Sequence, residues 1–464
     1  MSQDETRLIE TGHALEAQGR LDAAMQCYLD AVRIAPNPAR AHLNRGNVML
    51  LNGDLEGSLE AFRTAIKFKP DYAGAYYNIG NALLGSGKFD MAVDSYRSAL
   101  DIQPDYAEVH CGLGVALKEI DMLDEAMACF REALRIDHDL VEARLNLGSL
   151  LLAQGRYAEA WPEYETRYDH RYAGRQSIPP VFPFPRWQGE DLTGKSLVVW
   201  PEQGFGDSIQ FARYFPMLKS MGVSKLTVVC RPQLEFLLKQ TKGVDAVIDH
   251  SSAASLPLHD YWTFQMSLPL RFSTTVGTIP ADLPYLAAPA ERVDRWSDAL
   301  QKDRCLVGLV WKGSPGHQND ANRSIHDVSM LDPLWSVRGV TYVSLQKETG
   351  DGGAASPHMG GKMLHLGRDM LDFADAAAII DQLDIVICVD TAIAHLAGSM
   401  GKLCWVMLPA IGTDWRWFRG RTDSPWYPGV MKLFRQGRYE GWSETISDVA
   451  RELQKWVDDL AVNG

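Results

Sequence analysis

Three stretches of the chain bring together residue types that could move a proton or hold a polyphosphate. Pro201-Glu202-Gln203-Gly204-Phe205-Gly206-Asp207-Ser208-Ile209-Gln210 sets two carboxylates on either side of a glycine-rich turn. Trp311-Lys312-Gly313-Ser314, with Arg323-Ser324 shortly after, supplies two cations and two hydroxyls. Asp390-Thr391-Ala392-Ile393-Ala394-His395 opens with an acid and a capping residue and carries a histidine one turn further on. Thr391 is a good N-cap, so Ala392 is expected to open a helix whose free N–H groups and positive dipole end suit a diphosphate. Asp390 would repel phosphate there, so it orients the loop or takes a sugar hydroxyl. His395 either donates to phosphate or sugar, or packs between helix and sheet.

Lys312 directly follows a strand end and can offer a cation to a diphosphate; Arg323 can do the same with a planar fork. The alternative for Lys312 is an ordinary surface lysine. Gln346 and Lys347 follow another strand end and can reach a nucleotide. Asp207 can take a proton from a hydroxyl or merely complement the first turn of a helix; Glu202 is the substitute base. Gln203, Gly204, Gly206 and Gln210 belong to the same loop. Asp414-Trp415-Arg416-Trp417 and Pro425-Trp426-Tyr427-Pro428 form an aromatic cluster. Its rings, Trp415 among them, could stack on a base or sugar or could equally be core. Two phosphate-binding patterns are set aside. Gly189–Ser196 fits G-x-x-x-x-G-K-S, but a proline-rich segment precedes it and a strand follows, the reverse of what a phosphate loop needs. Gly204-Phe205-Gly206 starts like a dinucleotide fingerprint, but Ile209 holds the third small position and no acidic residue ends a second strand at the right distance.

The elements that must position these residues come from short apolar runs alternating with amphipathic segments, which read as βα units on parallel sheets. Strands are expected at Ser196–Trp200, Lys225–Cys230, Ala246–Asp249, Cys305–Trp311, Thr341–Leu345 and Ile385–Val389. Helices are expected at Ser208–Ser220, Gln233–Gln240, Met370–Leu383, Ala392–Met400 and Glu444–Asp459. The strands fall into two groups, before and after about residue 290, which suggests two doubly wound domains facing a cleft.

The first part of the chain is different. Glycine recurs every 34 residues at Gly12, Gly46, Gly80, Gly114 and Gly148. Each is followed by a small residue (Ala24, Ser58, Ala92, Ala126, Ala160) and then a ring (Tyr28, Phe62, Tyr96, Phe130, Tyr164). Small residues let paired helices approach closely and the ring fills the gap, while Pro36, Pro70 and Pro104 end the second helix of three units. The pattern resembles the tetratricopeptide repeat in five copies. The fifth departs late, with Arg167 where alanine should stand, and is read as the junction. Such repeats stack into a solenoid whose concave face binds extended segments. Asn44, Asn78 and Asn146 share one repeat position, interrupted by Gly112, and Asn47 and Asn81 lie three residues on. An asparagine ladder can grip a peptide backbone, as in the similar array of the O-GlcNAc protein glycosyltransferases. Alternatively, asparagine is merely common there.

Together the three loops resemble the heptosyltransferase-like glycosyltransferases of family nine, in the bacterial subgroup with tetratricopeptide repeats in front. The resemblance spans nearly the whole chain. It implies a GT-B fold, a nucleotide sugar held mainly by the C-terminal domain, and an acceptor entering from the N-terminal side. It places the general base on Asp207 and the donor diphosphate at Asp390, Thr391 and His395. Ala392 stands where heptosyltransferases usually have glycine, a departure from the family at the donor diphosphate site. The implied organisation is a repeat solenoid over 1–170, a proline-rich connector over 171–194, an acceptor domain over 195–290, a donor domain over 291–440 and a C-terminal helix over 441–464 packing back on the body.

Composition narrows the partners. The chain has 464 residues, too many for one ordinary domain, with Lys+Arg 46 against Asp+Glu 59. Residues 1–170 hold 16 basic and 27 acidic residues, a net of −11, and the remainder 30 and 32, a net of −2. An acidic chain argues against nucleic acid, and an acidic arm favours neutral or basic stretches of a partner. The seven cysteines, an odd number without a Cys-x-x-Cys pair, fit a reducing cytoplasm and not a structural zinc site. No apolar leader and no 18-residue uncharged run occur, so neither a signal peptide nor a membrane span is expected. No metal or other cofactor is expected beyond the nucleotide-sugar co-substrate. The expected activity is sugar transfer to a hydroxyl, with a protein Ser/Thr recruited by the repeats as acceptor, flagellin or another surface protein being one guess. The rivals are a lipopolysaccharide or other glycan transferase whose repeats organise an assembly, a non-enzymatic scaffold with a decayed transferase domain, and an epimerase or hydrolase on the same body. Pairing of copies through end repeats is an open expectation.

Overall fold

The computed structural model describes residues 3–172, 174, 177–300, 304–347, 363–438 and 440–463. Ten helices follow one another in pairs: α1 (Gln3–Ala17) with α2 (Leu21–Ile34), α3 (Ala39–Leu51) with α4 (Leu55–Phe68), α5 (Ala73–Gly85) with α6 (Phe89–Ile102), α7 (Ala107–Glu119) with α8 (Leu123–Ile136), then α9 (Val141–Ala153) and α10 (Tyr157–Tyr164). The chain divides into two compact units, Met1–Leu150 and Leu151–Gly464. The division falls inside α9, so α10 belongs to the second unit.

In the first unit the glycine–ring spacing has a direct steric cause. A Cβ at Gly80 would lie 2.5 Å from the Tyr96 ring and one at Gly114 2.6 Å from Phe130. Gly12 and Gly46 face Tyr28 and Phe62 in the same way. All four rings are buried, as are Ala24, Ser58, Ala92 and Ala126. Gly112 interrupts the asparagine ladder for a similar reason: its Cβ would come within 2.8 Å of Tyr96.

The second unit holds two sheets, each wholly parallel. The first contains β1 (Ser196–Trp200), β2 (Lys225–Cys230), β3 (Ala246–Asp249) and β4 (Tyr261–Phe264) in the order β3-β2-β1-β4. The second contains β5 (Cys305–Val310), β6 (Val340–Ser344), β7 (Met363–His365), β8 (Ile385–Val389), β9 (Cys404–Leu408) and β10 (Met431–Arg435) in the order β10-β9-β8-β5-β6-β7. Parallel neighbours require crossovers. These are α11 (Phe205–Phe211), α12 (Phe215–Ser220) and α13 (Pro232–Lys239) in the first sheet. A short α14 (Leu268–Arg271) and α15 (Ala290–Ser297) then lead into the second, whose crossovers are α16 (Asp320–Arg323), α17 (Asp332–Trp335), α18 (Phe373–Gln382) and α19 (Ala392–Ser399).

The six expected strands all form, to within a residue at their ends. Four more were not anticipated. β4 and β7 have only four and three residues, and β10 reads Met-Lys-Leu-Phe-Arg, an edge strand with charges that break the apolar run. The helix expected over Ser208–Ser220 is split: α11 starts earlier, a 3-10 turn spans Ala212–Tyr214, and α12 begins with Pro216 in its first turn. The proline-rich stretch lies along the outer edge of β4. The Trp262 N–H donates to Pro185 O at 3.1 Å and the Trp187 N–H to Trp262 O at 2.7 Å. Phe182 and Phe184 pack against Trp200 and Trp262. The last helix, α20 (Trp442–Asn463), lays Ile446, Val449 and Leu453 into the core of the second sheet beside Leu334 and Trp335.

Candidate functional site

Strand order fixes where a crevice can open. In the first sheet the chain moves from β1 to β2 and β3, then returns to the other side of β1 as β4. In the second it moves from β5 to β6 and β7, then restarts at β8 on the other side of β5. The loops leaving β1, β5 and β8 therefore all stand at switch points, where parallel sheets bind ligands beyond their carboxyl ends. These are the loops carrying Asp207, Lys312 and Asp390–His395.

The β1 loop reaches the β8 loop by direct packing of α11 on α19. Gly206 makes this possible: a Cβ there would lie 2.7 Å from His395 Cδ2. Asp207 sits in the first turn of α11, where its Oδ2 accepts the Gly204 N–H at 2.6 Å. Its Oδ1 accepts from Nη2 of Arg416. Arg416 Nη1 donates to Asp414 at 2.7 Å. Asp207 and Arg416 are both buried, so their ion pair joins the two sheets away from water, while Asp414 at the other end of the guanidinium is partly exposed.

His395 lies one turn into α19, with Nδ1 at 2.8 Å from the Tyr427 hydroxyl and its ring stacked on Trp417 at 5.2 Å and 17°. Burial, reinforced by Arg416 and Arg213, holds its pKa well below the ordinary histidine value, so the ring is neutral at physiological pH. Asp390 is pushed the other way, up to about 6, by burial and then by Asp414, with Trp417, Arg323 and Arg416 opposing. Its backbone carbonyl accepts Nη1 of Arg323 at 3.1 Å. Thr391 occupies the N-cap position of α19, but its side chain makes no cap bond, a departure from the capping role expected of it. Its hydroxyl and the Nε atoms of Arg323 and Arg416 are buried without hydrogen bonds. The N-terminus of α19, with Ala392 as its first residue, is thus surrounded by donors.

The β5 loop is tied from its neighbours. The Lys312 N–H donates to Gln346 Oε1 at 2.9 Å, and the Gly313 N–H to Ser324 Oγ at 2.9 Å. Gly313 lies under Arg323, where a Cβ would come within 2.5 Å of Nη2. Lys312 Nζ has no ion-pair partner among the described residues. Lys347 Nζ reaches Met370 O at 3.4 Å, and Ser314 is exposed.

Other expected site residues lie apart from this group. Glu202 is enclosed on another side of the β1 loop, accepting from the Met266 N–H at 2.7 Å and pairing with Arg167 at 3.3 Å. Its pKa is raised by burial, against the pull of Arg167. Gln203 O accepts from Arg231 at 2.9 Å, beside a cavity of about 280 Å³ whose lining includes Glu202, Gln203, Arg231, Asp249 and His250. Gln210 is fully buried. Trp415 is core: Tyr157, Trp161, Tyr164 and Trp426 surround it at 5.6–6.2 Å. In the repeat unit, Asn78 donates to Asn47 at 2.8 Å, Asn81 accepts from Tyr96 at 2.7 Å and Asn146 donates to Glu142 O at 2.9 Å. Asn44 is buried with its Nδ2 unpartnered. Sequence reasoning gave Asp414 and Arg416 no role beyond the aromatic run that contains them, took Tyr427 only as one of its rings, and passed over Arg213. The signal for the first two was present, since an Asp-Trp-Arg-Trp run carries an ion pair as well as rings. Among the described residues no group of His, Cys, Asp or Glu is placed to hold a metal ion, and no helix is long and apolar enough to cross a membrane.

Comparison with known proteins bears mainly on the helical part. Models described as TPR repeat match residues 12–53 and 50–87, and tetratricopeptide repeat models match 73–106 and 121–175. The chain therefore carries tetratricopeptide repeats, with parallel sheets after them. Protein FlbA of Caulobacter vibrioides is 28% identical over 338 residues, which cover 67% of this chain and 54% of that protein. The chain thus spans about half the length of that relative. Among solved structures, a thermophilic TPR protein of Thermus thermophilus is 27% identical, covering 35% of this chain and 88% of its own, with a TM-score of 0.32. MamA is 21% identical, covering 33% and 91%, with a TM-score of 0.30.

Proposed function

We propose that the chain is a glycosyltransferase of GT-B type, moving a sugar from a nucleotide sugar to a hydroxyl. One observation carries this reading. The loops at both switch points meet on the N-terminus of α19, where a carboxylate from one sheet (Asp207) stands among cations of the other (Arg416, Arg323). The diphosphate would take the free N–H groups at Ala392 and Ile393, with Lys312 as the cation that has no carboxylate to give up. Asp207 would accept the proton of the attacking hydroxyl. Neutral His395 would hold a ring against the α11 loop without adding charge. The acceptor is a protein Ser/Thr captured by the repeats, because a peptide-binding array suits a polypeptide better than a glycan.

The test is a thermal-shift panel of nucleoside diphosphates and nucleotide sugars on the purified chain. A ligand that binds only the folded state at a hundredfold excess over its Kd adds about 2.7 kcal/mol. One base-specific hit, lost in Lys312→Ala, supports the reading. No shift across the panel, with a folded parent, refutes it and leaves the scaffold reading.

A further inference from the structure

Two neighbouring pairs in residues 409–430, between β9 and β10, share one arrangement. Trp415 faces α10, and the next residue, Arg416, reaches Asp207. Trp426 faces α10, and the next residue, Tyr427, reaches His395. In each pair a tryptophan plugs into the helix and its successor enters the site.

The contacts on the helix side are specific. Trp426 Nε1 donates to the Tyr157 hydroxyl at 2.9 Å. Trp161 lies 5.6 Å from Trp415 at 84°, and its own Nε1 donates to Thr274 O at 2.8 Å. Between the two pairs, Phe418 has φ +55, a conformation that a bulky side chain adopts only when its surroundings impose it. Its ring stacks on Tyr157 at 5.8 Å. The next N–H, of Arg419, donates to Ala153 O at 3.3 Å. A 22-residue irregular connection with a strained turn is thus braced at four of its residues, Trp415, Phe418, Arg419 and Trp426, by the end of α9 and by α10.

We infer that α10 is a positioning element of the site: Tyr157 and Trp161 hold Trp415 and Trp426, and thereby fix Arg416 against Asp207 and Tyr427 against His395. This deepens the reading of the site proposed above and rests on it for its catalytic meaning. The geometric claim stands on the contacts alone.

The experiment reads His395 by histidine NMR in the full chain without ligand, its signals assigned by their loss in His395→Gln. The groups facing that ring are Trp417, Tyr427 and Arg416 from the 409–430 segment, Arg213 from the turn after α11, and the Gly206 backbone. In the parent, His395 stays neutral through the accessible pH range. In Trp161→Ala the segment loosens and the ring gains water, so a titration of His395, absent in the parent, comes into the accessible pH range as the ring's pKa rises toward the ordinary histidine value. Trp161→Phe returns it toward the parent. Tyr157→Phe, which removes the acceptor of the buried Trp426 N–H and leaves the ring in place, shifts it in the same direction with a Tm lowered by a few degrees, and carries the test alone should Trp161→Ala fail to fold. Leu238→Ala, a fully buried change in α13, lowers Tm but leaves His395 as in the parent. The inference is overturned if Trp161→Ala or Tyr157→Phe leaves the His395 signals unmoved, or if Leu238→Ala moves them equally. Since no nucleotide enters the experiment, its failure is separate from failure of the ligand panel.

Discussion

Removing residues 1–170, the obvious way to strip the repeats, is expected to destroy the body. The cut takes away Tyr157, Trp161, Tyr164 and Tyr168, all buried. Four such rings at about 150–250 Å² each, and about 25 cal/mol per Å², correspond to roughly 15–25 kcal/mol as an upper bound. A domain's whole stability is only about 5–15 kcal/mol. The cut also removes Arg167, the cation 3.3 Å from Glu202, whose side chain has no solvent exposure. Stranding one half of a buried pair costs about 3–5 kcal/mol more. A fragment beginning at residue 141, the first residue of α9, keeps all of these groups. The assay is near-ultraviolet circular dichroism with urea and thermal melts on fragments 141–464 and 171–464. The longer one should melt cooperatively; the shorter one should have no fixed aromatic signal. The opposite outcome is a cooperative melt of 171–464 within a few degrees of 141–464. It would mean that the aromatic contacts of α10 add little to the fold.

Gly80→Ala places a methyl 2.5 Å from the Tyr96 ring, so the repeat unit should lose about 1–3 kcal/mol in urea unfolding, with the second unit unaffected. Lys312→Ala should leave Tm unchanged, because the ammonium has no ion-pair partner among the described residues, yet weaken nucleoside diphosphate binding roughly 10–100-fold by calorimetry. Asp390, raised to about 6 from 3.8, binds a proton more readily folded than unfolded. Stability should therefore fall as pH rises from about 4 to 6 and then level off, and Asp390→Asn should flatten that segment of the curve by about 2–3 kcal/mol in urea titrations.

The repeats were legible because their signal is steric and periodic: a missing Cβ at Gly80 and a ring at Tyr96 recur at fixed spacing in every copy. Six strands were legible for a related reason, since strands buried in parallel sheets read as unbroken apolar runs. β4, β7 and β10 were not, the first two too short to show a period and the last mixing charge with apolar residues at a sheet edge, whereas β9, Cys-Trp-Val-Met-Leu, is such a run and was passed over all the same. The loops of the site were legible as chemistry but not as partners. Nothing in the spacing of Asp207 and Arg416, 209 residues apart, says that they meet. Glu202 shows the converse limit. It has the right type in the right loop, and yet a turn of backbone sends its carboxylate to Arg167 and the Met266 N–H.

Charge distribution at the site restricts how an anion could enter it. Arg416 already holds Asp207 and Asp414, and Arg323 lies 3.6 Å from Asp320. Neither guanidinium can neutralise a diphosphate without sharing or releasing a carboxylate, whereas Lys312 can. Binding should thus begin at Lys312 and the α19 N-terminus, and draw in Arg416 only as its unpartnered Nε finds an acceptor and Arg323 only as its Nε leaves Asp320. Asp207 is not disqualified as a base by its ion pair. Each of its oxygens accepts one hydrogen bond, from Gly204 and from Arg416, and a carboxylate has about four acceptor positions. Two remain for a substrate hydroxyl, and the two in use fix the direction in which they point. On the proposed reading, a base held in this way needs little reorganisation when the proton arrives, and Arg416→Lys, keeping the charge but losing the fork between Asp207 and Asp414, should then harm turnover more than nucleotide affinity.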